Sequence, residues 1–287
     1  MRILITGGGG QLGRSLVRSL HGHDVAAHSH RDLDVSDAAS VAAAFERVRP
    51  EAVVHCAALT DTNRCESDPE LARAVNAVGT ENVARACAHA GARLVAVSTN
   101  EVFDGERTSP YAEQDATGPL NAYAASKREG EQLAAAANPA TIIVRTSWLY
   151  GDGGNNFIEK VLAAARAGRP LSFVTDEVAS PTSTEDLAEA IRALIETDAP
   201  PGIYHLANEG AASRYDWACE ILRLAGVDAN VDAVTTAELR ARGYAGPRKP
   251  AYSVLANTRA AALGITLRPW REALAAYMER ARVAADG

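Results

Sequence analysis

The chain is short of several features that would each point to a particular class of protein. It has four cysteines, Cys56, Cys65, Cys87 and Cys219, and no Cys-x-x-Cys pair among them. Such spacing supports neither a disulfide framework nor a zinc site, so buried free thiols and no metal are expected. No apolar run approaches the length of a membrane span, and Met1 leads into a strand pattern rather than a charged signal-peptide start. A soluble, cytoplasmic protein without a membrane partner is the expectation. Basic residues are the minority charge, 29 Lys and Arg against 36 Asp and Glu, for a net charge of −7. Without a basic stripe, nucleic acid is not expected as a partner, although local cations can still hold a small anion. Repeats, low-complexity tracts and disordered linkers are also lacking.

What is present suits one large α/β domain with a smaller appendage, at 287 residues and 47% hydrophobic. Arg2-Ile-Leu-Ile-Thr6 reads as a buried strand, followed at once by Gly7-Gly-Gly-Gly10-Gln-Leu-Gly13 and a helix with Leu12, Leu16, Val17 and Leu20 on its apolar face. Glycines at 7, 10 and 13, between strand and helix, let backbone amides approach a dinucleotide pyrophosphate, and the helix N-terminus adds partial positive charge. A second strand, Asp24 to His28, ends in His28-Ser-His-Arg31, where an NAD-preferring site would place an acid on the ribose 2′-hydroxyl. No acid stands there, and Arg31 is placed to meet a 2′-phosphate, which favours NADPH over NADH. The His-x-His pairs, His21/His23 and His28/His30, have no third ligand nearby and read as surface residues. Asp34-Val35 precede a helix capped by Ser36, with Val41, Ala44 and Phe45 turned inward.

Ala52 to Cys56 forms a third strand and closes a βαβαβ unit, half of a doubly wound sheet. A helix over Pro69 to Ala90 follows, with Asn76 inside its apolar pattern. The fourth strand, Arg93 to Val97, delivers Ser98-Thr99-Asn100-Glu101 to the carboxyl edge, where open α/β sheets bind ligands. Tyr123-Ala-Ala-Ser-Lys127 then sets a phenol and an ammonium four residues apart on one helix face. An adjacent ammonium favours phenolate, which would lower the pKa of Tyr123 and let it exchange a proton near neutral pH. After a fifth strand at Thr141 to Val144, Asn155-Asn156 open a helix with Phe157, Val161 and Leu162 toward the core. A helix at Glu185 to Glu196, a strand at Gly202 to Leu206 and a helix at Tyr215 to Leu224, burying Trp217 and Ile221, come next. Residues 1–154 are expected to form the cofactor domain, with one return to the main sheet at about 180–207, and residues 155–287 mostly a substrate lobe.

Gly7-x-x-Gly10-x-x-Gly13, Ser98-Thr99 and Tyr123-x-x-x-Lys127 together resemble the extended branch of the short-chain dehydrogenase/reductase superfamily. The series GGGGQLG (7–13), STNEVFDG (98–105), GPLNAYAASKREGE (118–131), VRTSWLYGDGGNNF (144–157), SPTSTEDLA (180–188), GIYHLAN (202–208) and PWREAL (269–274) is similar to the dTDP-4-dehydrorhamnose reductase family. The match covers nearly the whole chain in order. It implies a doubly wound, Rossmann-type parallel sheet with a smaller C-terminal substrate lobe. The implied reaction is hydride transfer from NADPH, with NADH as the alternative, to the C4 ketone of a nucleotide-linked 4-keto-6-deoxy sugar.

By the same resemblance, Tyr123 would protonate the developing alkoxide, and Lys127 would hold the nicotinamide ribose and keep Tyr123 acidic. Thr99, ahead of Ser98, would hydrogen-bond the carbonyl oxygen. Gly7, Gly10, Gln11, Leu12, Gly13, Arg31, Asp34, Val35, Ala57, Ala58, Asn76 and Ser98 would lie at the cofactor, and Asn100, Glu101, Trp148, Asn156 and Arg248 at the substrate. Asn156 is also a candidate helix cap, and Trp148 a candidate core residue. Family members are often dimers, so a homodimer is allowed for.

Three departures stand out. After Ser-Thr the family usually has Asp-Tyr, whereas Asn100-Glu101 stand here. Related dehydratases and decarboxylases keep a Glu at this place, which leaves open a lyase or epimerase use of Glu101; a non-catalytic binding subunit is the other alternative. Pro247-Arg-Lys-Pro-Ala-Tyr-Ser253 resembles the family's Arg-Pro-Ala-Asn-Ser segment with Tyr252 for Asn, and Arg248 or Lys249 is a candidate to neutralise a diphosphate. Val254-Leu-Ala-Asn-Thr258 departs from the family's Asp-Thr-Ser, and Trp270 reads as packing.

Overall fold

The computed structural model describes residues 1–153 and 156–286. The chain alternates strand and helix through its first half. Strand β1 (Arg2–Thr6) leads to helix α1 (Gln11–Ser19), β2 (Asp24–His28) to α2 (Ala38–Val48), and β3 (Ala52–His55) to α3 (Thr62–Ser67) and α4 (Pro69–Arg73). One π-helical turn, Ala74–Val78, joins α4 to α5 (Gly79–Ala90). Strand β4 (Arg93–Thr99) ends in a 3₁₀ turn at Asn100–Val102, and α6 (Ala122–Ala137) leads to β5 (Ile142–Thr146). The second half is built of shorter pieces: β6 (Leu149–Tyr150), α7 (Phe157–Arg166), β7 (Leu171–Val174), β8 (Val178–Ala179) and β9 (Thr182–Ser183). Then come α8 (Thr184–Glu196), β10 (Gly202–His205), β11 (Ala212–Ser213), α9 (Arg214–Ala225), β12 (Val231–Val234), α10 (Thr236–Ala241), α11 (Thr258–Ala262) and α12 (Trp270–Asp286).

Six strands form one parallel sheet in the order β10-β5-β4-β3-β1-β2. Ile3, Leu4 and Ile5 of β1 are fully buried, as a strand covered on both faces requires. One face packs Ile3, Ile5, Leu16, Val54, Leu187 and Ile191 under α1 and α8. The other packs Leu4, Val41, Phe45, Val53, Val83 and Leu94 under α2 and α5. The order reverses between β1 and β3, so the crevice above their carboxyl ends is where such a sheet opens to a ligand. A separate core of Tyr150, Trp217, Ile221, Trp270 and Leu274 holds the smaller pieces together.

Several boundaries differ from the sequence expectations. The helix expected over 69–90 is three segments, and α3 before it was not anticipated. The cap of α2 is Asp37, which accepts from the amide of Ala39, because the Ser36 hydroxyl is taken by Asp34 at 2.6 Å. Strand β4 runs two residues further than expected, to Thr99, since Thr99 pairs with Thr146 of β5. Ala260, Ile265 and Leu267 also pack into the main core, so the chain rejoins it a second time after β10. No helix among the described residues is long and apolar enough to cross a membrane.

Candidate active site

A cavity of about 1120 Å³ runs along the carboxyl edge of the sheet from the glycine loop to the second core. At its first end Gly7 adopts φ +69°, a left-handed conformation that favours glycine. A Cβ at Gly13 would lie 2.5 Å from the Gly7 carbonyl oxygen and 2.6 Å from the Gly8 Cα. The loop is thus wound tightly onto the start of α1: the Gly8 and Gly10 amides are taken by the His28 and Gly7 carbonyls, and the N-terminal residues of the helix, Gln11 to Gly13, line the cavity.

Gly7, Gly10, Gln11, Leu12, Gly13, Asp34, Val35, Ala57, Ala58 and Ser98 all line this cavity. Arg31 does not: it is exposed, and Arg14, Ser29 and His30 line the wall there instead. Arg31 belongs to the turn that follows β2, and that turn is folded back by Asp32, which accepts from the amide and hydroxyl of Ser29. Asn76 also lies behind the wall. Its amide accepts from Leu59 N and donates to Leu59 O and to the Ser126 hydroxyl, so it ties the loop after β3 to α6. The π-helical turn around it supplies the geometry for that tie, and such turns are frequent at functional sites.

Mid-cavity, Thr99, Tyr123 and Lys127 share the wall with Ser98, Asn100 and Glu101. Helix α6 is aimed here by Asn121, whose side chain accepts from Ala124 N at 2.8 Å while donating to Glu101 and to the Arg248 carbonyl. Ser98 has its hydroxyl committed, donating to Glu131 at 2.6 Å in a buried pair with Arg145. The Thr99 hydroxyl donates to the Asn100 side-chain oxygen at 3.3 Å and accepts from the Glu101 amide at 3.2 Å, and it lies close enough to the Tyr123 phenol to lower its pKa.

The pKa of Tyr123 is moved opposite to the expectation. Burial raises it first, the Glu101 carboxylate adds to the rise, and the bond from Thr99 opposes it. Lys127 does not reverse this, because its ammonium donates to the Val97 carbonyl at 2.7 Å and burial pulls its own pKa down to about 8.

At the far end the expected substrate residues behave differently from one another. Glu101 forms a two-pronged ion pair with Lys249, at 2.7 and 2.8 Å, and also accepts from Asn121 at 3.0 Å. Asn100 donates to the Ser253 hydroxyl at 2.7 Å, tying the carboxyl end of β4 to the segment that resembles the family's. Trp148 lines the cavity with φ +43°, a left-handed conformation that costs a non-glycine residue roughly 1–3 kcal/mol. The guanidinium of Arg214, a residue without a signal in the sequence, lies 3.6 Å over its ring.

Arg248 and Asn156 do not line this cavity. Arg248 lines a separate, smaller cavity of about 580 Å³ beside Glu66, Asp104 and Glu177. Asn156 is buried and spent as the cap of α7, accepting from Glu159 N and donating to the Gly151 carbonyl and the Tyr277 hydroxyl. Asn155, expected beside it, lies outside the described residues. Of the cysteines, Cys65 and Cys87 are buried, Cys56 and Cys219 are half-buried, and all are free.

The RmlD substrate binding domain family matches residues 1–283 of this chain. The spore coat polysaccharide biosynthesis protein SpsK of Bacillus subtilis is 40% identical over 287 residues, covering 99% of both chains. A dTDP-4-dehydrorhamnose reductase of Mycolicibacterium smegmatis is 40% identical over 278 residues, 95% of this chain and 84% of its own. The crystal structure of dTDP-4-dehydrorhamnose reductase from Bacillus anthracis, in complex with NADP, superposes with a TM-score of 0.92 at 36% identity, over 97% of this chain and 99% of that one. A glycine-cradled crevice and a Tyr-x-x-x-Lys helix on one wall, with a match of this extent, lead to one assignment: the chain belongs to the RmlD substrate binding domain family.

Proposed function

We infer that this chain is an NADPH-dependent reductase of the C4 ketone of a nucleotide-linked 4-keto-6-deoxy sugar, of the dTDP-4-dehydrorhamnose reductase type. The observation that carries the reading is the convergence of Thr99, Tyr123 and Lys127 on the wall of a cavity that starts at the glycine cradle. The relatives named above support the substrate class, and the NADP complex of one of them supports the cofactor.

The cradle fits a dinucleotide, since a Cβ at Gly7 or Gly13 would strike backbone and small residues, Gly9, Gly10, Ala57 and Ala58, line the cavity beside them. Gly7, Gly10, Gln11, Leu12 and Gly13 would hold the pyrophosphate, Asp34, Val35, Ala57 and Ala58 the adenosine side, and Lys127 the nicotinamide ribose. Arg14 and His30, rather than Arg31, would meet a 2′-phosphate. When bound, NADPH supplies the hydride.

Every other step belongs to the protein. Tyr123, kept protonated by burial, donates to the ketone oxygen and passes its proton as negative charge develops there. Thr99 gives that oxygen or the phenol a second hydrogen bond. Lys127, cationic below about pH 8, stabilises the phenolate left behind. Hydride at carbon and proton at oxygen make the alcohol. Glu101 is a clamp in this scheme, because Lys249 and Asn121 occupy its oxygens, which leaves it poorly placed to act as the base of a dehydratase.

Residues 1–154 as the cofactor domain and 155–287 mostly as the substrate lobe, in a cytoplasmic enzyme, complete the proposal. It is tested by following the reduced-nicotinamide absorbance with dTDP-4-keto-6-deoxyglucose, with and without a 3,5-epimerase. Stoichiometric loss of absorbance is expected, and its dependence on the epimerase identifies the sugar. Dehydration with the cofactor recycled, or no reaction in either mixture, would overturn the reading.

A further inference from the structure

The cations along the cavity are unequal. Lys249 is committed to Glu101, Lys127 donates to the Val97 carbonyl, and Arg14 donates to the Gly9 carbonyl beside the glycine loop. Arg64 is exposed on α3, where solvent screens its charge. Arg214 differs from all of these. It opens α9 at the far end of the cavity, with its guanidinium carbon 3.6 Å from the ring centre of Trp148, 5.3 Å from that of Phe157 and 5.7 Å from that of Trp217. The Trp148 ring covers the guanidinium carbon from one side, and a guanidinium held on a ring face keeps N–H donors at its edge for a partner.

Among the described residues, no hydrogen bond or ion pair occupies those donors, and Arg214 lines the cavity. A half-buried guanidinium with five donors and no acceptor is costly unless something supplies one. Burial lowers its pKa only to about 10, so it stays cationic at neutral pH. The carboxylates that influence it are Glu177 and Glu101. Glu101 is offset by Lys249, burial raises the pKa of Glu177, and among the described residues neither carboxylate forms an ion pair with Arg214. The local field therefore admits an anion.

We propose that Arg214 binds the diphosphate of the nucleotide-sugar substrate, and that Trp148 serves as the platform for this guanidinium instead of stacking on the base or sugar. The role expected of Arg248 or Lys249 thus moves to a residue about 35 positions upstream. Planar, charge-assisted bonding to phosphate oxygens is what a held guanidinium does best. This inference rests on the nucleotide-sugar reading above, and its test is independent of turnover.

The test titrates the NADPH-loaded protein with dTDP and with thymidine, by calorimetry for the first and by NMR line broadening to millimolar concentration for the second. Arg214→Ala is expected to weaken dTDP roughly ten-fold to a hundred-fold, as loss of a charged hydrogen-bond partner does, with thymidine and NADPH changed less than two-fold. Arg214→Lys, which keeps the charge and loses the fork, is expected to fall between, and serves where the alanine variant does not fold. Equal weakening of dTDP and thymidine would assign Arg214 to packing, and weakening of NADPH would assign it to the cofactor's phosphates. Either result overturns the proposal, as does an unchanged dTDP affinity or a wild-type protein that binds no dTDP. If dTDP binds through Arg214 but no keto-sugar is ever reduced, the reductase reading falls and this one stands.

Discussion

Tyr123 carries the chemistry in this account because it is a half-buried proton donor one helical turn from the Lys127 ammonium. Replacing it with Phe removes one oxygen and little volume, so packing and cofactor binding survive. Tyr123→Phe is expected to lower kcat by roughly 10² to 10⁴ with the NADPH dissociation constant within two-fold; near wild-type turnover would remove Tyr123 as the acid. The pH profile follows from Lys127, whose pKa is pulled down to about 8 by burial. As pH rises through that value the ammonium loses its proton, the phenolate loses its stabiliser, and kcat/KM should fall. A profile flat to pH 10, measured at saturating NADPH, would contradict this. The Tyr-Lys spacing was legible in the chain because it is a local helical pattern. The direction of the Tyr123 shift was not, since it depends on desolvation and on Glu101, which only the fold brings alongside.

At the level of elements, the same division recurs. The glycine loop between β1 and α1 could be read from sequence, because strand, turn and helix follow one another directly. Its tightness can be tested. A methyl at residue 13 meets backbone atoms of Gly7 and Gly8 that cannot yield without moving the loop. Gly13→Ala should weaken NADPH at least ten-fold in a fluorescence titration and cost roughly 1–3 kcal/mol of stability in denaturant unfolding. An unchanged affinity would mean that the loop does not form the cradle. Asn76 and Asn156 show the opposite case. A polar residue inside or at the start of an apolar helix pattern suggests a ligand, yet both amides have partners within the protein, Asn76 with Leu59 and Ser126 and Asn156 with Glu159, Gly151 and Tyr277. Sequence pattern marks such residues as unusual but does not say which partner satisfies them.

Across the molecule as a whole, one cavity runs from the glycine loop to the second core, and the proposed substrate would lie along it. Contacts across that span were the least legible part of the sequence. Glu101 meets Lys249 across 148 positions, and Arg214 meets Trp148 through the packing of α9 on the second core. The departure Asn100-Glu101 becomes intelligible only with Ser253 and Lys249 beside it, since each residue ties the carboxyl end of β4 to the same segment. On the proposed reading one ketone sits between Thr99, Tyr123 and the nicotinamide position, and the central claim is direct hydride transfer to that carbon. The most direct measurement uses NADPH deuterated at the transferring position of the nicotinamide, with a dTDP-4-keto-6-deoxy sugar and the 3,5-epimerase, and locates the label in the product by NMR. The account predicts one deuterium per turnover at C4 of the sugar. Deuterium retained in the cofactor after turnover, or label at any other carbon, would contradict it.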